Sequence, residues 1–101
     1  MVEKSSLSPS ELQVKLDELL PKWRTGQNPK GVDYIERVKH AADYLAGIRF
    51  VSEIAELAEA NNHHPEIHIN YKRISVKYWT HSSRGVTLAD VQMAQKIDHL
   101  F

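Results

Sequence analysis

The stretch from Ala42 to Asn61 constrains this 101-residue chain more than any other. Ile48, Val51, Ala55 and Ala58 form one stripe at helical spacing, widened by Phe50, Ile54 and Leu57. Arg49, Ser52, Glu53 and Glu56 supply the wet side. Asp43 stands where it can cap the start, and Asn61 or Asn62 can take the left-handed conformation that closes a helix. Such a helix would be about 27–30 Å long at about 1.5 Å per residue. A rod of that length, apolar on one side, is a large fraction of so small a domain and is expected to be the main cover of a sheet.

The rest of the chain supplies that sheet. Ser8-Pro9-Ser10-Glu11 reads as a helix start, with Ser8 as cap, Pro9 at the first helical position and Glu11 completing a capping box. Leu12, Leu16, Leu19 and Leu20 then share a face, and Pro21 ends the helix. Trp23 to Thr25 is a short strand, Gly26 to Gly31 a turn by composition, and Val32 to His40 a second strand. Ile67, Ile69 and Tyr71 alternate on odd numbers, whereas Ile74, Val76 and Tyr78 alternate on even numbers. A phase change at Lys72-Arg73 is what a two-residue hairpin pairing Tyr71 with Ile74 would produce, with a bulged continuous strand as the alternative. Thr87-x-x-Asp90 is a second capping box, followed by Val91, Ala94, Ile97 and Phe101 at helical spacing. The order α-β-β-α-β-β-α predicts an α+β fold, a four-stranded antiparallel sheet with three helices on one face. One domain over residues 1–101 is expected, with residues 1–7 a flexible polar tail.

Charge and composition remove several classes. Thirteen basic residues balance thirteen acidic ones, so formal net charge is zero. The electrostatic footprint of a dedicated nucleic-acid binder is therefore missing, and self-association is not opposed. The absence of cysteine excludes disulfides, thiolate catalysis and thiolate metal sites. No apolar run approaches the roughly 18 residues needed to span a bilayer. Met1 to Glu11 lacks the apolar segment of a secretory signal. A soluble cytoplasmic protein is the expectation.

The chemistry concentrates in Asn62-His63-His64-Pro65-Glu66 and in Thr80-His81. Imidazoles suit proton transfer near neutral pH. A residue before proline avoids the helical region, so His64 should be extended, and adjacent extended residues point to opposite sides. His63 and His64 are thus expected to play different roles. The bland reading, surface histidines at a helix end where the dipole favours a cation, stands beside the catalytic one. A metal site is not expected: neither H-x₃-H nor H-E-x-x-H spacing occurs, and adjacent histidines rarely chelate one ion. His40, His68 and His99 match no motif and read as solvated or structural. Asp90 reads first as the third residue of its capping box, and Gly85 as a positive-φ residue before that helix. Trp79 and Tyr71 are candidates to line a pocket for a flat heterocycle.

The spacing is specific. Glu59 lies four residues before His63, Tyr71 six after Pro65 and His81 ten after Tyr71, followed by Gly85, Thr87 and Asp90. This order resembles the pterin-4a-carbinolamine dehydratase family (4a-hydroxytetrahydrobiopterin dehydratases), closely over about the last sixty residues and loosely over the first forty. The resemblance implies the same fold and a hydro-lyase that converts 4a-hydroxytetrahydropterin to quinonoid dihydropterin and water in tetrahydrobiopterin recycling, with no cofactor. It also implies that His63 and His81 form the acid–base pair and that His64 binds and orients the pterin. Glu59, Asn62, Pro65, Glu66, Trp79 and Thr80 would complete the substrate site. Two departures stand out: Ile67 occupies a position that is tryptophan in some members, and Asn62 one that is often aspartate. The family further implies a homodimer or homotetramer and an aromatic amino acid hydroxylase or transcription factor as partner. The reading from another class is a non-catalytic protein-binding or assembly scaffold on the same fold.

Overall fold

A computed structural model describes residues 5–101 and shows how the chain covers one face of a sheet with its helices. Helix α1 (Pro9–Leu19) starts at the expected capping box. The Glu11 amide donates to Ser8 Oγ at 3.2 Å, and the Ser8 amide donates back to the Glu11 carboxylate at 3.0 Å. That backbone donor, with the Ser8 hydroxyl, holds the Glu11 carboxyl below its ordinary value. Leu12, Leu16 and Leu20 are buried, and Leu19 is left exposed. Of the stretch expected to be a tail, residues 1–4 lie outside the described residues. Leu7 donates its amide to the Val86 carbonyl at 2.7 Å and packs on the core.

Strands β1 (Arg24–Gln27), β2 (Asp33–His40), β3 (Glu66–Asn70) and β4 (Arg73–Tyr78) form one antiparallel sheet in the order β1-β2-β4-β3. Gly26 and Gln27, read as turn from composition, extend β1 and pair with Tyr34 and Asp33. Gly26 can sit in a strand because the Tyr34 ring lies across it, where an added Cβ would meet ring atoms at 2.6 Å. The turn is confined to residues 28–32, tied by the Asn28 side chain, which accepts from the amides of Lys30 (2.9 Å) and Val32 (3.0 Å). The β3–β4 hairpin is the two-residue form, but its loop is Tyr71-Lys72, one residue earlier than the phase change suggested. Ile74 pairs with Ile69, not Tyr71, and Tyr71 takes a left-handed φ of 53° with its ring exposed.

Register places Ile35, Ile74, Val76 and Tyr78 on the helix side, and Tyr34, Glu36, Ser75 and Lys77 on the other. Helix α2 (Tyr44–Ala60) is capped by Asp43, as expected, but its buried line is Gly47, Phe50, Ile54 and Ala58. Ala55 is exposed, and Ile48 and Val51 are half-covered. The roll follows from Gly47, over which the Ile74 side chain sits so closely that a Cβ would stand 2.8 Å from its Cδ1. Helix α3 (Leu88–Asp98) buries Val91, Met93, Ala94 and Ile97 in the same core. Phe101 closes it edge-on to Trp23 and Phe50, with the Arg37 guanidinium 4.4 Å from its ring centroid. Among the described residues no helix is long and apolar enough to cross a membrane.

Candidate functional site

Three element ends meet at one corner of the sheet: the end of α2, the end of β4 and the start of α3. Asn62, at φ 49°, turns the chain out of α2, and the His63 amide still reaches back to the Ala58 carbonyl at 3.1 Å. Pro65 then leads into β3. On the other side Trp79 and Thr80 follow β4 into a short 3-10 turn, His81–Ser83. A pair of backbone bonds between Thr80 and Gly85 pinches this loop. The left-handed residue there is Arg84 (φ 54°), not Gly85. Gly85 is needed instead for close approach, since a Cβ would meet that of Ser6 at 2.9 Å.

His63 and His64 diverge, each to a different carboxylate. His63 turns inward: its Nε2 bonds Asp90 Oδ1 at 2.6 Å, and its ring stacks on Tyr78 with centroids 5.2 Å apart. Asp90 is fully buried and has two jobs. Its Oδ2 accepts from the Thr87 amide (2.8 Å), as the capping box predicts, and from the Thr80 hydroxyl (2.8 Å). Its other oxygen faces His63. Burial, and then the Asp90 carboxylate, push the Tyr78 phenol above its ordinary value. Tyr78 is therefore a proton donor, and it donates to the His63 carbonyl at 2.9 Å. His64 turns outward, with Nε2 2.7 Å from Glu59 Oε1 in an exposed pair.

His64 and His81 share a cavity of about 220 Å³ with Pro65, Glu66, Lys77 and Trp79. A larger concavity of about 870 Å³ opens from it across the uncovered sheet face toward the β1–β2 turn. The two share Glu66, Lys77, Trp79 and His81. His63 lines neither; 19% of its side chain stays exposed. Glu59, Asn62 and Thr80 also line neither. Glu59 acts on His64, Asn62 is an exposed helix terminator, and Thr80 is a buried support for Asp90. Tyr71, offered as a pocket residue, is at the far hairpin and exposed. Among the described residues no cluster of three or more histidine or carboxylate groups is arranged to hold a metal ion.

Several cavity residues carry no motif. Lys77 lies on the Trp79 side of β4, with its ammonium 4.5 Å from the Tyr34 ring centroid. His68, expected to be solvated or structural, bonds Glu66 at 2.6 Å and lines the larger cavity. Arg84 joins them from the pinched loop. Strand parity was the available signal, because residues alternating with Ile74, Val76 and Tyr78 must face away from the helices. The corner thus offers imidazoles beside a flat indole wall, suited to a planar polar ring whose protons have to move.

Known proteins are similar to this chain in sequence and fold. A family profile described as pterin 4 alpha carbinolamine dehydratase matches residues 5–100. A protein of Gloeobacter violaceus, named a candidate pterin-4-alpha-carbinolamine dehydratase 2, is 37% identical over 89% of this chain and 96% of its own. One of Acidobacterium capsulatum, named a candidate for the same activity, is 36% identical over 95% and 98%. The crystal structure of a transcriptional coactivator/pterin dehydratase from Brucella melitensis superposes with a TM-score of 0.81 at 32% identity, covering 95% of this chain and 98% of that one. A pterin dehydratase-like RuBisCO assembly factor of the alpha-carboxysome shares the fold at a TM-score of 0.63 and 19% identity, over 78% of this chain and 88% of its own.

Proposed function

We propose, from the premise that this chain belongs to the pterin 4 alpha carbinolamine dehydratase family, that it dehydrates 4a-hydroxytetrahydropterin to the quinonoid dihydropterin. The carrying observation is the cavity that His64 and His81 share against Trp79, with His63, next to His64 in the chain, held by the buried Asp90. In the reaction a base takes the proton from a ring nitrogen, and its electrons form the new carbon–nitrogen double bond. The carbon–oxygen bond breaks, and an acid protonates the departing hydroxyl to water. No external oxidant, reductant or net proton is needed.

His63 and His81 are the proposed proton carriers. Asp90 accepts the Nε2–H of His63, which fixes the tautomer and leaves Nδ1 as the free nitrogen, the logic by which a buried carboxylate orients a catalytic imidazole. The exposed edge of the ring is where that nitrogen would meet substrate. His81 lines the cavity. His64, paired with the solvated Glu59, is the residue that contacts and orients the ring, together with Trp79, Pro65 and Glu66. Asn62 and Glu59 act one step back, by placing the two histidines.

Stopped-flow dehydration of synthetic 4a-hydroxytetrahydropterin, corrected for the spontaneous rate, tests the assignment. His63→Ala and His81→Ala should each lower kcat by about 10²–10⁴-fold. His64→Ala should raise KM more than it lowers kcat. If all three variants turn over like the unmodified protein, the site assignment fails. If the unmodified protein itself does not exceed the spontaneous rate, the scaffold reading, motivated by the coactivator named with the Brucella structure, takes its place.

A further inference from the structure

We propose that the larger cavity is a subsite for an anionic substituent carried on the pterin ring. The inference rests on the dehydratase reading and adds the class of substrate. The ring cavity is about 220 Å³, and the concavity that opens from it is about four times as large, so something beyond the bicycle has room on the sheet. Its charge is one-sided. Lys30, Lys77 and Arg84 line it against one carboxylate, Glu66, which His68 already engages at 2.6 Å. In a chain whose formal net charge is zero, this local excess is a matter of placement and not of composition.

The cations are also held. Lys77 lies against Tyr34, which with Trp79 forms a continuous aromatic floor, ring centroids 6.5 Å apart. Lys30 rides on the turn that the Asn28 side chain ties at two amides, with Pro29 stiffening it. Arg84 sits at a left-handed φ in the loop pinched by Thr80 and Gly85. Lys30 and Arg84, on tied backbone and lining only the larger cavity, together with Lys77, which lines both, make a path that a phosphate monoester or similar anion on a side chain can follow. A neutral polyol side chain would leave them unused.

Calorimetric binding of two oxidised pterins tests this, one with a neutral trihydroxypropyl side chain and the other its phosphate monoester. At low ionic strength the ester should bind about tenfold more tightly, as two or three exposed ion pairs allow. The advantage should shrink to about twofold or less in Lys30→Gln/Arg84→Gln, and in the unmodified protein at about 1 M salt. The neutral pterin should bind both proteins alike. Equal binding of the two ligands, or an advantage that survives both the substitutions and salt, overturns the subsite. Failure of the neutral pterin itself to bind folded protein counts against the ring site and so against the dehydratase reading. Ring binding without ester preference counts against the subsite alone.

Discussion

Replacing Asp90 by asparagine separates the two jobs that its carboxylate performs. Asp90 Oδ2 accepts from the Thr87 amide and the Thr80 hydroxyl, both at 2.8 Å, so an asparagine must keep its oxygen there. The amide nitrogen is then forced into the position of Oδ1, 2.6 Å from His63 Nε2. An N–H now points at a nitrogen that donated to the carboxylate. The His63 proton moves to Nδ1, and the nitrogen proposed to take the substrate proton is blocked. In a serine-protease triad the same exchange of carboxylate for amide costs about 10⁴ in kcat through the wrong tautomer. A loss of about 10²–10⁴-fold is expected here, with KM little changed. Stability should also fall, by about 1–3 kcal/mol, because charge-assisted bonds to a buried group are weakened. Thr87→Val supplies the control: it removes the capping hydroxyl, at a cost of about 1 kcal/mol, but leaves the His63–Asp90 bond in place. Thermal melts and stopped-flow dehydration on the same samples decide the matter. If Asp90→Asn melts lower yet turns over within about threefold of the unmodified protein, Asp90 is a helix cap and no more, and His63 is not a proton carrier.

Other perturbations address the surroundings of the site. Gly26→Ala should drive the Tyr34 ring off β1, since the added Cβ would stand 2.6 Å from it; KM should rise while kcat holds, and an unchanged KM would show that Tyr34 is not part of the floor. Burial pushes the Glu36 carboxyl up, but the Ser75 hydroxyl and the Arg24 guanidinium outweigh it and hold the group below its ordinary value. The native state therefore binds that proton more weakly than the unfolded chain, so the stabilisation is present above the ordinary carboxylate range and lost as pH falls through the lower folded value. Glu36→Gln should melt below the unmodified protein at neutral pH, and the gap should close below about pH 4; a gap independent of pH would contradict the assignment. Light scattering should report a dimer or tetramer, because Tyr44, Leu45 and Tyr71 leave large apolar side chains exposed and β1 and β3 leave open sheet edges; a monomer at micromolar concentration would contradict this.

What was legible in the sequence was what is local. Both capping boxes, Ser8 with Glu11 and Thr87 with Asp90, depend on residues three apart and appear where expected. Alternation in Ile67–Tyr78 signals a hairpin for the same reason, although the loop falls one residue early because a left-handed Tyr71 is tolerated at an exposed tip. The buried line of α2 was misplaced because one long-range contact, Gly47 against Ile74, decides how far the helix rolls. Parity tells which strand residues face away from the helices, but not which of them meet in one cavity. Tyr34, His68 and Lys77 come from three strands, and only the order β1-β2-β4-β3, which inserts β4 between β2 and β3, brings them to one face. Asp90 shows how local and long-range logic meet. Its spacing from Thr87 announces a cap, and nothing in that spacing announces His63, twenty-seven residues upstream. Yet the cap is what makes the carboxylate available. With one oxygen committed to the first turn of α3, the fold holds the other, buried, against the histidine that follows α2. On the proposed reading, orientation of His63 and capping of α3 thus fall to one buried group, so Asp90→Asn is expected to cost turnover far more than stability.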